Sequence, residues 1–214
     1  MAWPPPWNKA WTVLAPPTHG QGPIPKGLEP GDVILCSPVV RTPRQHVIVG
    51  AQSHVFAPES AAFTHAAIYA GNGLAYDSTF GTDVACRPFS DVTDRAYIRV
   101  RRFAHVTPTM QWDICSEASA LKGKYNLVRA VTDTFVANLV RFLPTQWTDL
   151  LADLHNNNGG VAPVVDPNAP LYCSQLVERV YGTQGITFTD RKILVPLPGA
   201  LSEAMPFDEV PISW

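Results

Sequence analysis

The sequence predicts an α+β fold, a mostly antiparallel sheet packed against helices, because strand-like and helix-like patterns occupy separate halves of the chain. Four strand-like runs lie at 31–36, 65–70, 74–79 and 97–103, and the hairpin turn Gly71-Asn72-Gly73 joins the second to the third. Beyond Pro108 the apolar residues recur at helical spacing instead. A chain of 214 residues with 46% hydrophobic content can bury one sizeable core. The expected organisation is a Pro/Trp-rich arm over 1–27 and one domain over 28–214, with a helical insertion at 127–155.

Residues 1–30 hold eight prolines and three tryptophans, Trp3, Trp7 and Trp11, and read as an arm whose indoles pack on the domain. After Pro30-Gly31 the run Asp32-Val33-Ile34-Leu35-Cys36 reads as a buried strand. Residues 43–55, with Val47, Ile48 and Val49 among polar neighbours, fit a short helix or another strand, and periodicity does not choose. Residues 65–70 and 74–79 pair across the hairpin, since Gly and Asn tolerate positive φ. In 97–103 apolar and basic residues alternate, which predicts a strand with one solvated face. Helices are expected over 109–121, 127–143 and 147–154, followed by a long polar loop from His155 to Pro170.

The net charge of −2 and the scattered Lys and Arg residues give nucleic-acid binding no electrostatic support. Pro4, Pro5, Pro6, Pro16 and Pro17 interrupt what a secretory leader needs, so synthesis in the cytoplasm without a signal peptide is expected. No stretch approaches the ~20 apolar residues of a membrane span, so no integral membrane segment is expected. Cys36, Cys86, Cys115 and Cys173 form no CxxC pair, which argues against a zinc site or a dense disulfide scaffold. The first three are expected as ordinary buried thiols.

Cys173 differs because Leu176, Val177 and Val180 follow it at three, four and seven, placing it in the first turn of an amphipathic helix. Exposed N–H groups and the helix dipole there favour a thiolate, the form a cysteine nucleophile needs. Its own N–H is also placed to bind an oxyanion. His65, opening a strand, is the candidate proton shuttle, and Asp77, twelve residues on across the hairpin, the candidate carboxylate that orients the ring. Whether His65 and Asp77 share a face depends on the strand register.

The segment Thr64-His65-Ala66-Ala67-Ile68-Tyr69-Ala70-Gly71-Asn72-Gly73 resembles the histidine-strand motif of the NlpC/P60 papain-like cysteine peptidases. Tyr172-Cys173-Ser174-Gln175-Leu176-Val177 resembles their Asp-Cys-Ser-Gly-Leu-Val nucleophile motif, and Gly31-Asp32-Val33-Ile34-Leu35 their Gly-Asp-Leu-Val-Phe strand. Ordinary members carry the cysteine first; here it comes last, so the chain resembles the circularly permuted branch, and its YiiX-like set in particular. Gly123-Lys124-Tyr125-Asn126 is similar to that set's Gly-Lys-Pro-Tyr-Asp segment, though without the proline. The resemblance implies Cys173 as nucleophile, His65 as base and acid, Asp77 as third polar group, and Tyr125 as an oxyanion or substrate contact or else a buried packing tyrosine. Asp32 ranks second as the acidic partner. A tyrosine rather than an aspartate precedes Cys173, and 48 residues separate Tyr125 from Cys173.

The resemblance further implies a permuted papain-like fold and a cysteine hydrolase of amide bonds, a peptidoglycan peptide-stem endopeptidase or amidase acting on peptide or peptidoglycan-fragment substrates. It requires no cofactor and no metal. An antibacterial effector exported by a dedicated secretion machine to the periplasm of a target cell, with a cognate immunity or delivery protein as partner, extends that expectation. Two alternatives stand beside it: an acyltransferase or thioester/lipid hydrolase with an acyl groove between the helices at 127–154, and a binding module without turnover.

Overall fold

Val33, Ile34 and Leu35, read as one apolar run, are buried on both faces of the strand they form, and that strand lies in the middle of a sheet. The computed structural model describes residues 12–14, 24–53, 56–79, 82–123, 171–186, 188, 197–204 and 207–213. Among these, the strands are β1 (Thr12–Leu14), β2 (Val33–Pro38), β3 (His65–Gly71), β4 (Leu74–Asp77), β5 (Ala85–Pro88), β6 (Ala96–Phe103) and β7 (Phe207–Glu209). They form one sheet in the order β1-β6-β2-β3-β4-β5, with β7 also on β6, and every pairing is antiparallel. The helices are α1 (Pro43–Gln52), α2 (Pro58–Ala61), α3 (Phe89–Thr93), α4 (Pro108–Ala120), α5 (Cys173–Gly182) and α6 (Pro198–Glu203). The fold is therefore α+β. Trp3, Trp7, Trp11, Tyr125, the expected helices at 127–143 and 147–154, and the 155–170 loop lie outside the described residues.

The period-two alternation of strand side chains divides the core. Val33, Leu35, Ala66 and Ile68 face α4, α5 and α6 through Ile114, Leu176, Val177 and Leu201. Ile34, Ala67, Tyr69 and Val100 face the opposite way, against Phe89 of α3 and the C-terminal Val210 and Ile212. The ambiguous segment at 43–55 is a helix over Pro43–Gln52. Its start carries a capping box, in which Thr42 N–H donates to Gln45 Oε1 at 2.7 Å and Gln45 N–H donates to Thr42 Oγ1 at 3.4 Å, with Pro43 in the first turn.

Two expectations are corrected. The basic face of β6 is not solvated: Arg99 and Arg101 are buried on the side covered by α6. There Arg99 Nη1 donates to Ser202 Oγ at 2.6 Å, and Arg101 donates to the carbonyls of Ser202, Ala204 and Phe207, so the guanidinium satisfies the chain leaving α6. The second concerns the ordinary cysteines. Cys36 is buried, but Cys115 is half-buried and Cys86 is exposed, on β5 at the sheet edge.

Candidate active site

The hairpin turn fixes the face on which the candidate acid emerges. Asn72 and Gly73 adopt φ of 53° and 75°, the left-handed conformation that Gly and Asn tolerate best. A register shift between Tyr69 and Gly71 then sets Ala67 opposite Asp77. His65 lies two residues before Ala67, so His65 and Asp77 occupy one face as diagonal neighbours. His65 Nε2 stands 3.4 Å from Asp77 Oδ2, and the same imidazole ring has a second partner.

That partner is Cys173. It occupies the first turn of α5, whose Leu176 and Val177 anchor the helix on the face shared by Ala66 and Ile68. The β3–β4 ladder runs only to the Ala67–Asp77 pair, and the segment before Cys173 comes in at that point: Ser78 Oγ donates to the Leu171 carbonyl at 2.6 Å. The sulfur thus meets the imidazole at the end of β3. It accepts from the His65 ring and from the backbone N–H groups of Ala66 and Ser174. Gln175 steadies the helix start by accepting from Tyr172 N–H at 3.4 Å.

Burial shapes the electrostatics and is overruled by the partners. Cys173 is 6% exposed, which by itself raises a thiol, yet the hydrogen bond and charge of His65, with the Ala66 and Ser174 N–H groups, lower it below the ordinary 9.0. Burial also disfavours the charged imidazole, but hydrogen bonds to Asp77 and Cys173, and their charges, raise His65 from 6.5 to about 10. Burial acts to raise the Asp77 carboxyl, while His65, Thr79 and Arg87 hold it below its ordinary 3.8. All three shifts favour a thiolate–imidazolium pair backed by a carboxylate. Cys36, opposite His65 on β2, is pushed up by burial and stays a thiol.

Of the sequence-predicted residues, Cys173, His65 and Asp77 come together. Asp32 does not join them: Tyr69 N–H donates to its carbonyl at 2.8 Å, placing it four residues along β3 from His65, about 13 Å away. Its carboxylate is taken by Arg102, Nε to Oδ1 at 2.7 Å and Nη2 to Oδ2 at 2.8 Å, and by Glu29 N–H at 2.8 Å. Sequence reasoning missed Ser78, Thr79 and Arg87. Ser78 and Thr79 directly follow Asp77, a cue that was present; Arg87 lies on a four-residue edge strand with no apolar alternation, and nothing local marks it.

Among the described residues no three His, Cys, Asp or Glu side chains gather as metal ligands, and no helix is long and apolar enough to cross a membrane. No protein-family model matches the chain, and no curated protein matches it.

Proposed function

We propose that the protein is a cysteine hydrolase of amide bonds, with a permuted papain-like fold of the NlpC/P60 type and peptide or peptidoglycan peptide stems as substrate class. The observation that carries the reading is the contact of Cys173 with an imidazole that Asp77 backs at 3.4 Å. The thiolate attacks the scissile carbonyl, forming a C–S bond, and the carbonyl π electrons move to oxygen. As the first residue of α5, Cys173 has an N–H without an intrahelical acceptor, and this group meets the oxyanion. The imidazolium passes its proton to the departing amine as the C–N bond breaks. Neutral His65 then takes a proton from water, hydroxide adds to the thioacyl carbon, and collapse releases the acid and the thiolate.

The test is incubation of the full chain with purified muropeptides and, separately, with acyl esters, beside Cys173→Ala. Loss of a muropeptide amide bond only when Cys173 is present is the expected result. Cys173-dependent loss of acyl esters alone would replace this substrate class with the acyl one, and no turnover of either despite a reactive thiol would favour the binding module.

A further inference from the structure

Asp77 gives His65 only one of its oxygens. Oδ2 stands 3.4 Å from the imidazole and accepts from Thr79 Oγ1, while Oδ1 accepts from Arg87 Nε at 2.7 Å. Arg87 comes from β5, where Ala85 is opposite Asp77, so Arg87 sits two residues on and on the same face. Its far end is braced as well: Nη2 donates to Thr82 Oγ1 at 2.7 Å and to the Asp83 carbonyl at 3.4 Å. Thr82 Oγ1 in turn donates to the Thr79 carbonyl at 3.0 Å, closing a loop of contacts around the carboxylate.

We propose that Arg87 is a positioning residue for the Cys173–His65 pair: braced by Thr82 and the Asp83 carbonyl, its guanidinium fixes the Asp77 carboxylate so that Oδ2 faces the imidazole. The inference rests on the hydrolase reading. The physical need is clear, because the terminal torsion of an aspartate is soft and roughly two-fold, so an unbraced carboxylate turns away at little cost. The Arg87 guanidinium removes that freedom by holding Asp77 through Nε and Thr82 through Nη2, a rigid planar pair of donors that a Lys ammonium on a flexible stem does not reproduce. Among the described residues, the titratable and charged groups around the pair are Cys173 of α5, His65 of β3, Asp77 of β4, Arg87 of β5 and the Cys36 thiol of β2.

On the acid limb of the Cys173 titration His65 is already charged, so the sign of the effect follows from the thiol alone. Removing Arg87 takes a positive charge from the site and loosens the carboxylate that supports the imidazolium, and both changes disfavour the thiolate. Alkylation of Cys173 by iodoacetamide against pH, with peptide mapping of the labelled cysteine, reads this without any substrate. In Arg87→Gln the acid limb of the profile should move up by about one pH unit, roughly a tenfold slower reaction on that limb. Arg87→Lys, which keeps the charge and loses the fork, should fall between wild type and Arg87→Gln. Thr82→Val, which changes no charge, should move the limb in the same direction by less. A folded Arg87→Gln with the wild-type profile would overturn the proposal, as would full restoration by Lys together with an unmoved Thr82→Val. Should Arg87→Gln not fold, the Lys and Thr82→Val profiles decide alone. A wild-type Cys173 that titrates as an ordinary thiol is a separate result, and it removes the hydrolase reading itself.

Discussion

Replacing Cys173 by serine should change how the stability of the protein depends on pH, because in wild type two protonation changes cancel. His65 rises from 6.5 unfolded to about 10 folded, so on its own it contributes stability that is full below pH 6.5 and is lost as pH rises toward 10. Cys173 moves the other way, from 9.0 unfolded to a lower folded value, so its contribution is full above pH 9 and is lost as pH falls through the folded value. At any pH that lies above both 6.5 and the folded Cys173 value and below 9, the folded site holds one proton, on the imidazole, and the unfolded chain also holds one, on the thiol. The site therefore adds no slope in that window, while stability from the site declines on both flanks. In Cys173→Ser the thiol is gone and the Asp77 contact remains, so the imidazole alone titrates. Unfolding free energy should then fall above pH 6.5 by up to about 1.4 kcal/mol per pH unit until the lowered His65 value is reached. The full His65 rise corresponds to roughly 5 kcal/mol, an upper bound because Cys173 supplies part of it. Urea unfolding of both proteins at half-unit steps from pH 6 to 9.5, comparing their difference at each pH, measures the term. A difference that stays constant across the window would refute the ion pair.

Two further outcomes separate structural from chemical roles. Asp32→Asn breaks the bidentate Arg102 contact at the far end of β3 and should cost about 1.5–3 kcal/mol, or roughly 3–12 °C in melting temperature, while the alkylation profile of Cys173 stays at the wild-type position; a displaced profile would return Asp32 to the site. Ser78→Ala removes the buried hydroxyl that holds the Leu171 carbonyl, costs about 1 kcal/mol, and should also slow Cys173 alkylation, since the thiol lies two residues beyond that anchor. Thermal melting paired with the alkylation rate checks it, and a lowered melt with an unchanged rate would show that the contact stabilises without positioning.

What the sequence makes legible follows the range of the physical cause. The first turn of α5 is local, since Leu176, Val177 and Val180 mark the buried stripe and so the position of Cys173. The 71–73 turn is local too and announces the β3–β4 pair, yet the shared face of His65 and Asp77 depends on the register shift between Tyr69 and Gly71. That shift is a property of the pairing rather than of either strand. The Thr42-Pro43-Arg44-Gln45 capping box was present in the sequence and settles 43–52 as helix once caps are weighed with periodicity. The alternation in β6 has the strand period, but its arginines are buried by α6, about 100 residues away in the chain. Arg87 is the limiting case: its partners Asp77, Thr82 and Asp83 identify it only after β5 is placed beside β4.

On the proposed reading, the order in which the two halves of the site appear in the chain has no bearing on their chemistry, because His65 and Asp77 are each followed by a residue that holds the cysteine half. Ala66, next to His65, donates its N–H to the Cys173 sulfur. Ser78, next to Asp77, holds the Leu171 carbonyl two residues before that sulfur. These two links cross from the β3–β4 hairpin to the start of α5 at the point where the β3–β4 ladder stops, so a displacement of α5 breaks hydrogen bonds on the histidine side and the aspartate side together. The thiolate is placed by contacts that are short in space and need no particular connection between the segments. A chain that delivers the histidine strand first can therefore form the same proposed Cys173–His65–Asp77 contacts as one that delivers the cysteine helix first, provided that both links form.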